Sequence, residues 1–200
     1  APSAAPAAAA LPHVAVPLPP LVRDPWAWAA LSVVVLLVVR ALGAPVGAPV
    51  ADDFDHLHHV LFAGDRSWFG GGGSGSFWRP LAYQAYYGLL SGVILRHPAW
   101  ISVIHVALAA MTVLLVHDTV RRPLPRPAAA TAAMFPWLVE SSRALLTVPV
   151  HFVDLGLIVF SVLAWRAAAG GRLAASLAAL LAALLCKETA IATAVVLPWL

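Results

Sequence analysis

Residues 50–65 read VADDFDHLHHVLFAGD, a stretch that sets Asp52, Asp53, Asp55 and Asp65 among His56, His58 and His59. Carboxylates in such a group can take a proton as a general base, hold a divalent cation, or pair with cations. Asp52 can cap a helix that begins here, because an Asp at a helix N-terminus accepts backbone N–H bonds. On that helix Asp52, His56 and His59 share one face at i, i+4 and i+7, and Asp55 and His59 pair at i, i+4. Imidazole beside carboxylate suits zinc, so Asp52, His56 and His59 are the metal-ligand candidates, although their spacing is not a metal signature. An interfacial amphipathic helix with solvated charges is the plain alternative. The adjacency of Asp52 and Asp53 argues against it, since two like charges side by side need a reason.

Three further polar islands could do chemistry. Arg79 stands in Phe77-Trp78-Arg79-Pro80-Leu81, and an Arg framed by aromatics suits a phosphate or carboxylate through its planar fork of donors, or snorkels to an interface. Glu140 and Arg143 sit between apolar segments, where ionisable groups are expensive, and can pair with each other. Lys187 and Glu188 interrupt LAALLAALLCKETAIATAVVLPWL at similar cost. His105, His117, His151 and Asp154 lie within or at the ends of apolar runs, with His151 and Asp154 at helix-pair spacing. The run GGGGSGS at 70–76 has no following Lys-Ser/Thr and no preceding strand, so it reads as a flexible loop and not as a phosphate cradle.

The chain that must position these groups has 200 residues, of which 62% are hydrophobic and 10% charged. Its mean hydropathy is +0.87. A soluble domain is roughly 45–50% apolar and about 25% charged, so the composition points to a membrane protein. Apolar segments run from Pro25 to Arg40, Pro98 to His117, Pro127 to Val139 (short for a crossing), Ala144 to Trp165 and Leu173 to Cys186, with another from Thr189. The expected fold is all-α: a polytopic transmembrane helix bundle whose long first external loop, residues 51–97, carries short interfacial helices. Residues 1–24 read as a disordered, Ala/Pro-rich cytoplasmic tail and not a signal peptide. The chain ends at Leu200 inside an apolar run, as if cut short. The single cysteine, Cys186, forms no intrachain disulfide. The net charge of +3 carries no nucleic-acid reading, since the arginines form no basic stripe.

Charge orients the segments. Arg121, Arg122, Arg126, Arg166 and Arg172 lie in turns without acids and fall on one side with Arg23, the side enriched in basic residues and hence cytoplasmic. Residues 51–97, the turn at 140–143 and Lys187-Glu188 then share the opposite face.

Taken together the motifs resemble the GT-C superfamily of membrane glycosyltransferases, in particular the protein O-mannosyltransferase-like branch that uses polyprenyl-phosphate sugars. That family carries an acidic pair in the first external loop, here Asp52-Asp53, and a later Tyr/Trp-Arg-Pro-Leu motif, here Trp78-Arg79-Pro80-Leu81. A Lys-Glu pair follows the fifth helix, here Lys187-Glu188. The family's His-Pro-x-x-x-Glu motif reads Phe135-Pro136-Trp137-Leu138-Val139-Glu140, with Phe135 in place of the His.

The resemblance implies that residues 25–200 are the N-terminal part of a GT-C-like transmembrane domain in a bacterial-type inner membrane, with its active site on the periplasmic or extracellular face. It implies transfer of a sugar, mannose among them, from a polyprenyl-phosphate donor to a hydroxyl on protein, lipid or cell-wall glycan. Asp52 would be the base and Asp53 its second or supporter. Arg79 and Lys187 would bind the phosphate with Arg143 as a third, Glu140 would orient the acceptor or a metal, and Glu188 would orient the lipid-linked phosphate. A divalent metal ion stays open, since members of the family differ on that point. The alternative from another class is a polytopic transporter using His and Asp residues within the membrane, which should show mid-span ionisable groups and repeat symmetry. A non-catalytic membrane scaffold is the third option.

Overall fold

The computed structural model describes residues 23–44, 46–63 and 67–197. Every regular element among them is helical. In chain order these are α1 (Pro25–Ala41), α2 (Asp52–Phe62), α3 (Tyr86–Arg96), α4 (Ala99–Val120), α5 (Arg126–Met134), α6 (Ser142–Thr147), α7 (Phe152–Ala169), α8 (Leu173–Cys186) and α9 (Ile191–Val196). A π turn over Leu81–Ala85 leads into α3. Helix α4 and the segment Pro149–Ala169 are long and apolar enough to cross a membrane. At about 1.5 Å per residue, the 22 residues of α4 reach the roughly 30 Å of a hydrocarbon core. Helices α1 and α8 are equally apolar but shorter, at 17 and 14 residues.

Local chemistry sets the boundaries. Asp24 stays extended and its carboxylate accepts the Trp26 N–H at 3.1 Å, while Pro25 supplies a first turn that needs no donor. Asp24 is therefore a buried cap and not part of a tail; the rest of the expected tail, residues 1–22, lies outside the described residues, as do residues 198–200. The segment expected to run unbroken from Ala144 to Trp165 is divided into α6 and α7. Pro149 forces Val148 into an extended conformation (φ −118°, ψ 124°), because a residue before proline is crowded out of the helical region. Ala51, not Asp52, is the N-cap of α2, and Asp52 is the first helical residue.

The core joins α1, α4, α5, α6 and α7. Ala30, Val33, Val34 and Leu37 of α1 meet Ala109 and Val113 of α4, Ala130 and Ala133 of α5, and Leu155 and Val159 of α7. The alanines let the helix backbones approach closely. The outer faces stay apolar: Val35 and Val39 of α1, Val103 of α4, and Leu173, Leu177 and Leu181 of α8 are all exposed.

The helices alternate in direction, so the chain has two ends. Asp24, before α1, meets His117 and Arg121 at the C-terminus of α4, and Asp118 meets Arg166 near the C-terminus of α7. This arginine end holds the turns at 121–126 and 166–172. The two turns carry no acid, as the sequence reading had it, but Asp24 and Asp118 beside them pair with Arg121, Arg166 and His117. The opposite, loop end gathers α2, α3, α6 and the junctions at 148–152 and 186–190.

Helices α7 and α8 pack closely at Gly156, where a Cβ would stand 2.8 Å from Cys186 Sγ. Gly156→Val should lower the thermal midpoint, at a cost of about 1–3 kcal/mol for overpacking. Cys186→Ala should restore part of that loss in the double variant. Additive effects in a thermal-melt cycle would contradict the packing described.

Candidate functional site

The site starts from Asp53, which is fully buried. Tyr87 donates its hydroxyl to Asp53 Oδ1 at 2.5 Å, the Val50 N–H donates to Oδ2 at 2.7 Å, and the Val150 backbone adds a third hydrogen bond. Burial pushes the carboxyl above its ordinary 3.8, and these bonds only partly oppose that rise. The reach back to Val50 holds Ala51 at φ 34°, a region few non-glycine residues enter. Asp52, one residue before the anchor, is exposed, and its carboxylate has no hydrogen-bond partner among the described residues.

His56 turns inward beside Asp53. Its Nδ1 donates to the Gly72 carbonyl at 2.7 Å, and its ring stacks on Tyr83 with centroids 4.0 Å apart. Gly72, at φ 61°, has no room for a Cβ, which would stand 2.7 Å from Tyr83 Cβ. The glycine run is thus packed against α2 and the π turn, contrary to its reading as a flexible loop. Of the metal candidates, Asp52 is exposed, His56 is buried with its Nδ1 committed to a carbonyl, and His59 is half-buried. Among the described residues no group of three or more His, Cys, Asp or Glu side chains gathers to hold a metal ion.

Arg79 and Glu188, 109 residues apart in sequence, form a two-pronged pair. Nε donates to Oε2 at 2.9 Å and one terminal nitrogen donates to Oε1 at 2.6 Å. The other terminal nitrogen donates to the Tyr83 hydroxyl at 2.9 Å, and the guanidinium lies 4.2 Å from the centre of the Phe77 ring. Such a fork fixes both partners in orientation as well as in charge. The guanidinium holds the Glu188 carboxyl below the usual carboxylate range. Next door, Lys187 Nζ donates to Asp154 Oδ1 at 2.5 Å, and His151 Nδ1 lies 3.9 Å from the other oxygen.

These contacts make one continuous network. Asp53 touches Val150, residues 151–154 lead to Lys187, Glu188 binds Arg79, and Arg79 returns through Tyr83 to His56 and α2. Asp53, Arg79, Lys187 and Glu188 are therefore brought together as the sequence placed them, on one end. Glu140 and Arg143 share that end but not the network: Glu140 pairs with Arg40, and Arg143 lies 3.6 Å from it, all three exposed. The pairing of Glu140 with Arg143 was legible from the sequence; the reach of Arg40 to it was not.

Sequence reasoning missed the aromatic scaffold. Tyr83 and Tyr87 stand four residues apart and hold the cation and the buried acid respectively. Tyr86 donates to His105 Nε2 at 2.9 Å while His105 Nδ1 donates to the Leu145 carbonyl at 2.7 Å. Its ring also stacks on Phe152 at 4.2 Å, so α3, α4, α6 and α7 meet around it. The signal was present in Tyr83, Tyr86 and Tyr87, whose hydroxyls need partners when buried. Asp154, read as a partner of His151 alone, also holds Lys187.

The network can present a charged rim to a polar ligand while its interior stays fixed. Lys187 Nζ carries three N–H groups, of which Asp154 takes one, and Arg79 keeps two of its five after Glu188 and Tyr83 are served.

Two outcomes follow. A cycle of Arg79→Lys and Glu188→Gln should show non-additive loss of thermal stability, with a coupling of roughly 0.5–3 kcal/mol, because Lys cannot reproduce the fork. For Asp53, a carboxyl whose folded pKa is raised contributes stability below the ordinary value near 3.8 that is lost as pH rises through the raised value. The wild-type thermal midpoint should therefore fall relative to Asp53→Asn as pH climbs through that window. A constant gap between the two across pH 4–8 would contradict it.

Comparison with protein-family models, curated proteins and solved structures finds no match for this chain.

Proposed function

We propose that the chain is part of a polytopic membrane glycosyltransferase that moves a sugar from a polyprenyl-phosphate donor to a hydroxyl acceptor. The observation that carries the reading is the network at the loop end, where acids and cations meet over an apolar helical core. Segments far apart in sequence, at residues 50–56, 79–87, 150–154 and 187–188, bring ionisable and hydroxyl groups together there, beside an exposed carboxylate. Two helices long enough to cross a bilayer, and the exposed apolar faces of α1, α4 and α8, support placement in a membrane. The loop end would then face the periplasm or the exterior, because the opposite end is rich in arginine.

The roles divide by accessibility. Asp52 is free to meet an acceptor and takes its proton as the acceptor oxygen attacks the anomeric carbon. The bond from that carbon to the phosphate oxygen breaks, and the phosphate leaves with the bonding pair. Lys187, with two N–H groups to spare, and the remaining donors of Arg79 receive its charge. Asp53 is a positioning residue that pins α2 to α3 and to the 148–151 turn. Glu188 and Asp154 hold the two cations in place until the phosphate arrives. Glu140 and Arg143 lie at the rim, where an acceptor would approach. The step as proposed uses this chain's own side chains; among the described residues no three acidic or imidazole groups gather for a metal ion.

The test is transfer from a panel of labelled polyprenyl-phosphate sugars in membranes carrying the protein. Asp52→Asn should lower transfer by about a hundredfold or more while leaving the thermal midpoint unchanged. Asp53→Asn should cost both stability and transfer. Transfer unaffected by Asp52→Asn would remove that residue as base, and absence of transfer from every donor in the panel would remove the transferase reading.

A further inference from the structure

The arginine end contains a cavity that the network at the loop end does not explain. It encloses about 380 Å³ between the last turns of α4 and α7 and the first turn of α8. Leu115 and Leu163 face it from the helices, and Thr119, Arg122, Arg166 and Arg172 ring it. The cavity is thus apolar on its helix side and cationic at its rim.

The charges at the rim are not equally engaged. Asp118 accepts from Arg166 and, at 2.7 Å, from Arg121, so this acid is consumed by two guanidiniums. Asp24 is occupied by His117 at 3.3 Å and Arg121 at 3.5 Å. Arg122 and Arg172 are exposed, and their side chains have no ion-pair or hydrogen-bond partner among the described residues. Two unpaired forks and a third shared with Asp118 therefore surround one concave space. Like charges held close without a counter-ion repel, and an anion between them removes that cost.

We propose that this cavity binds a phosphate group, carried on an anionic lipid whose apolar part lies against Leu115 and Leu163. A phosphate oxygen accepts from planar guanidinium forks in pairs, which suits Arg better than the single point charge of Lys. The volume is in the range of small-ligand pockets, larger than a bare anion needs. Basic pockets between apolar helices on the arginine-rich side are suited to lipid headgroups on physical grounds. The site is at the far end of the molecule from Asp52, Arg79 and Lys187, and it stands or falls independently of the transferase reading.

The experiment uses the whole protein in neutral detergent, with lipid adducts counted by native mass spectrometry. Phosphatidylglycerol and phosphatidylcholine are titrated separately, and inorganic phosphate is titrated alone in a parallel arm. Wild type should hold phosphatidylglycerol at least about tenfold more tightly than phosphatidylcholine, and Arg122→Gln/Arg172→Gln should bring the two lipids level. Ala175→Trp, which fills the cavity and leaves every charge in place, should cause the same loss. Unchanged thermal midpoints in both variants confirm that the fold is intact. Inorganic phosphate binding as tightly as the lipid, and lost in both variants, would keep the phosphate site and assign its ligand to solution. Equal retention of the two lipids by wild type with no phosphate binding, or variants that bind as wild type does, would overturn it.

Discussion

An ionised side chain taken out of water is stable only beside an opposite charge or a set of hydrogen-bond donors, and an apolar chain offers few of either. Most of the long-range geometry here follows from that shortage. Arg79 is nearly buried and has to find Glu188 more than a hundred residues away. Asp53 forms no ion pair with an Arg or Lys among the described residues and is held by a hydroxyl and backbone donors instead. At the other end Asp24 and Asp118 distribute themselves among His117, Arg121 and Arg166. The long-range pairings, such as Asp24 with Arg121 and Asp118 with Arg166, tie separate segments together at a fixed height, so the charges help to set how the apolar surfaces line up.

Satisfied pairs and unsatisfied groups sort into different work. The buried members, Asp53, His56 and the Arg79 fork, have their hydrogen-bonding capacity largely committed and so give the loop end a rigid floor. The exposed members, Asp52 and the remaining N–H groups of Lys187, are set on that floor with capacity to spare. In the proposed transferase, rigid support of this kind would hold Asp52 within the tolerance that proton transfer demands.

Much of this was legible in the sequence, and its limits have physical causes. The segments at Pro25, Pro98 and Leu173 were readable because long apolar runs end at charges, turns or prolines. The shared end of Asp53, Arg79, Lys187 and Glu188 was readable because helices that alternate in direction sort their turns into two sets. The break at Pro149 was missed because hydrophobicity continues across it while the backbone does not. Which acid meets which base was not readable: Lys187 and Glu188 are neighbours in sequence, yet they turn to Asp154 and Arg79 respectively. The aromatic scaffold was hidden for a related reason, since buried tyrosines look like ordinary core until their hydroxyl partners are known.

The π turn over Leu81–Ala85 has a bearing on how this site could change over time. Such a turn holds one more residue than the α turn it replaces, and one residue rotates a helix by about 100°. Arg79 lies before the turn and Tyr87 after it, so the angle between the cation and the tyrosine that grips Asp53 is counted in residues. Substitutions there leave the count intact, whereas loss of one residue would swing the guanidinium away from Glu188 around the helix axis. The segment from 79 to 87 is accordingly constrained twice, in its length by the turn and in its composition at Arg79, Tyr83, Tyr86 and Tyr87, whose side chains make the contacts.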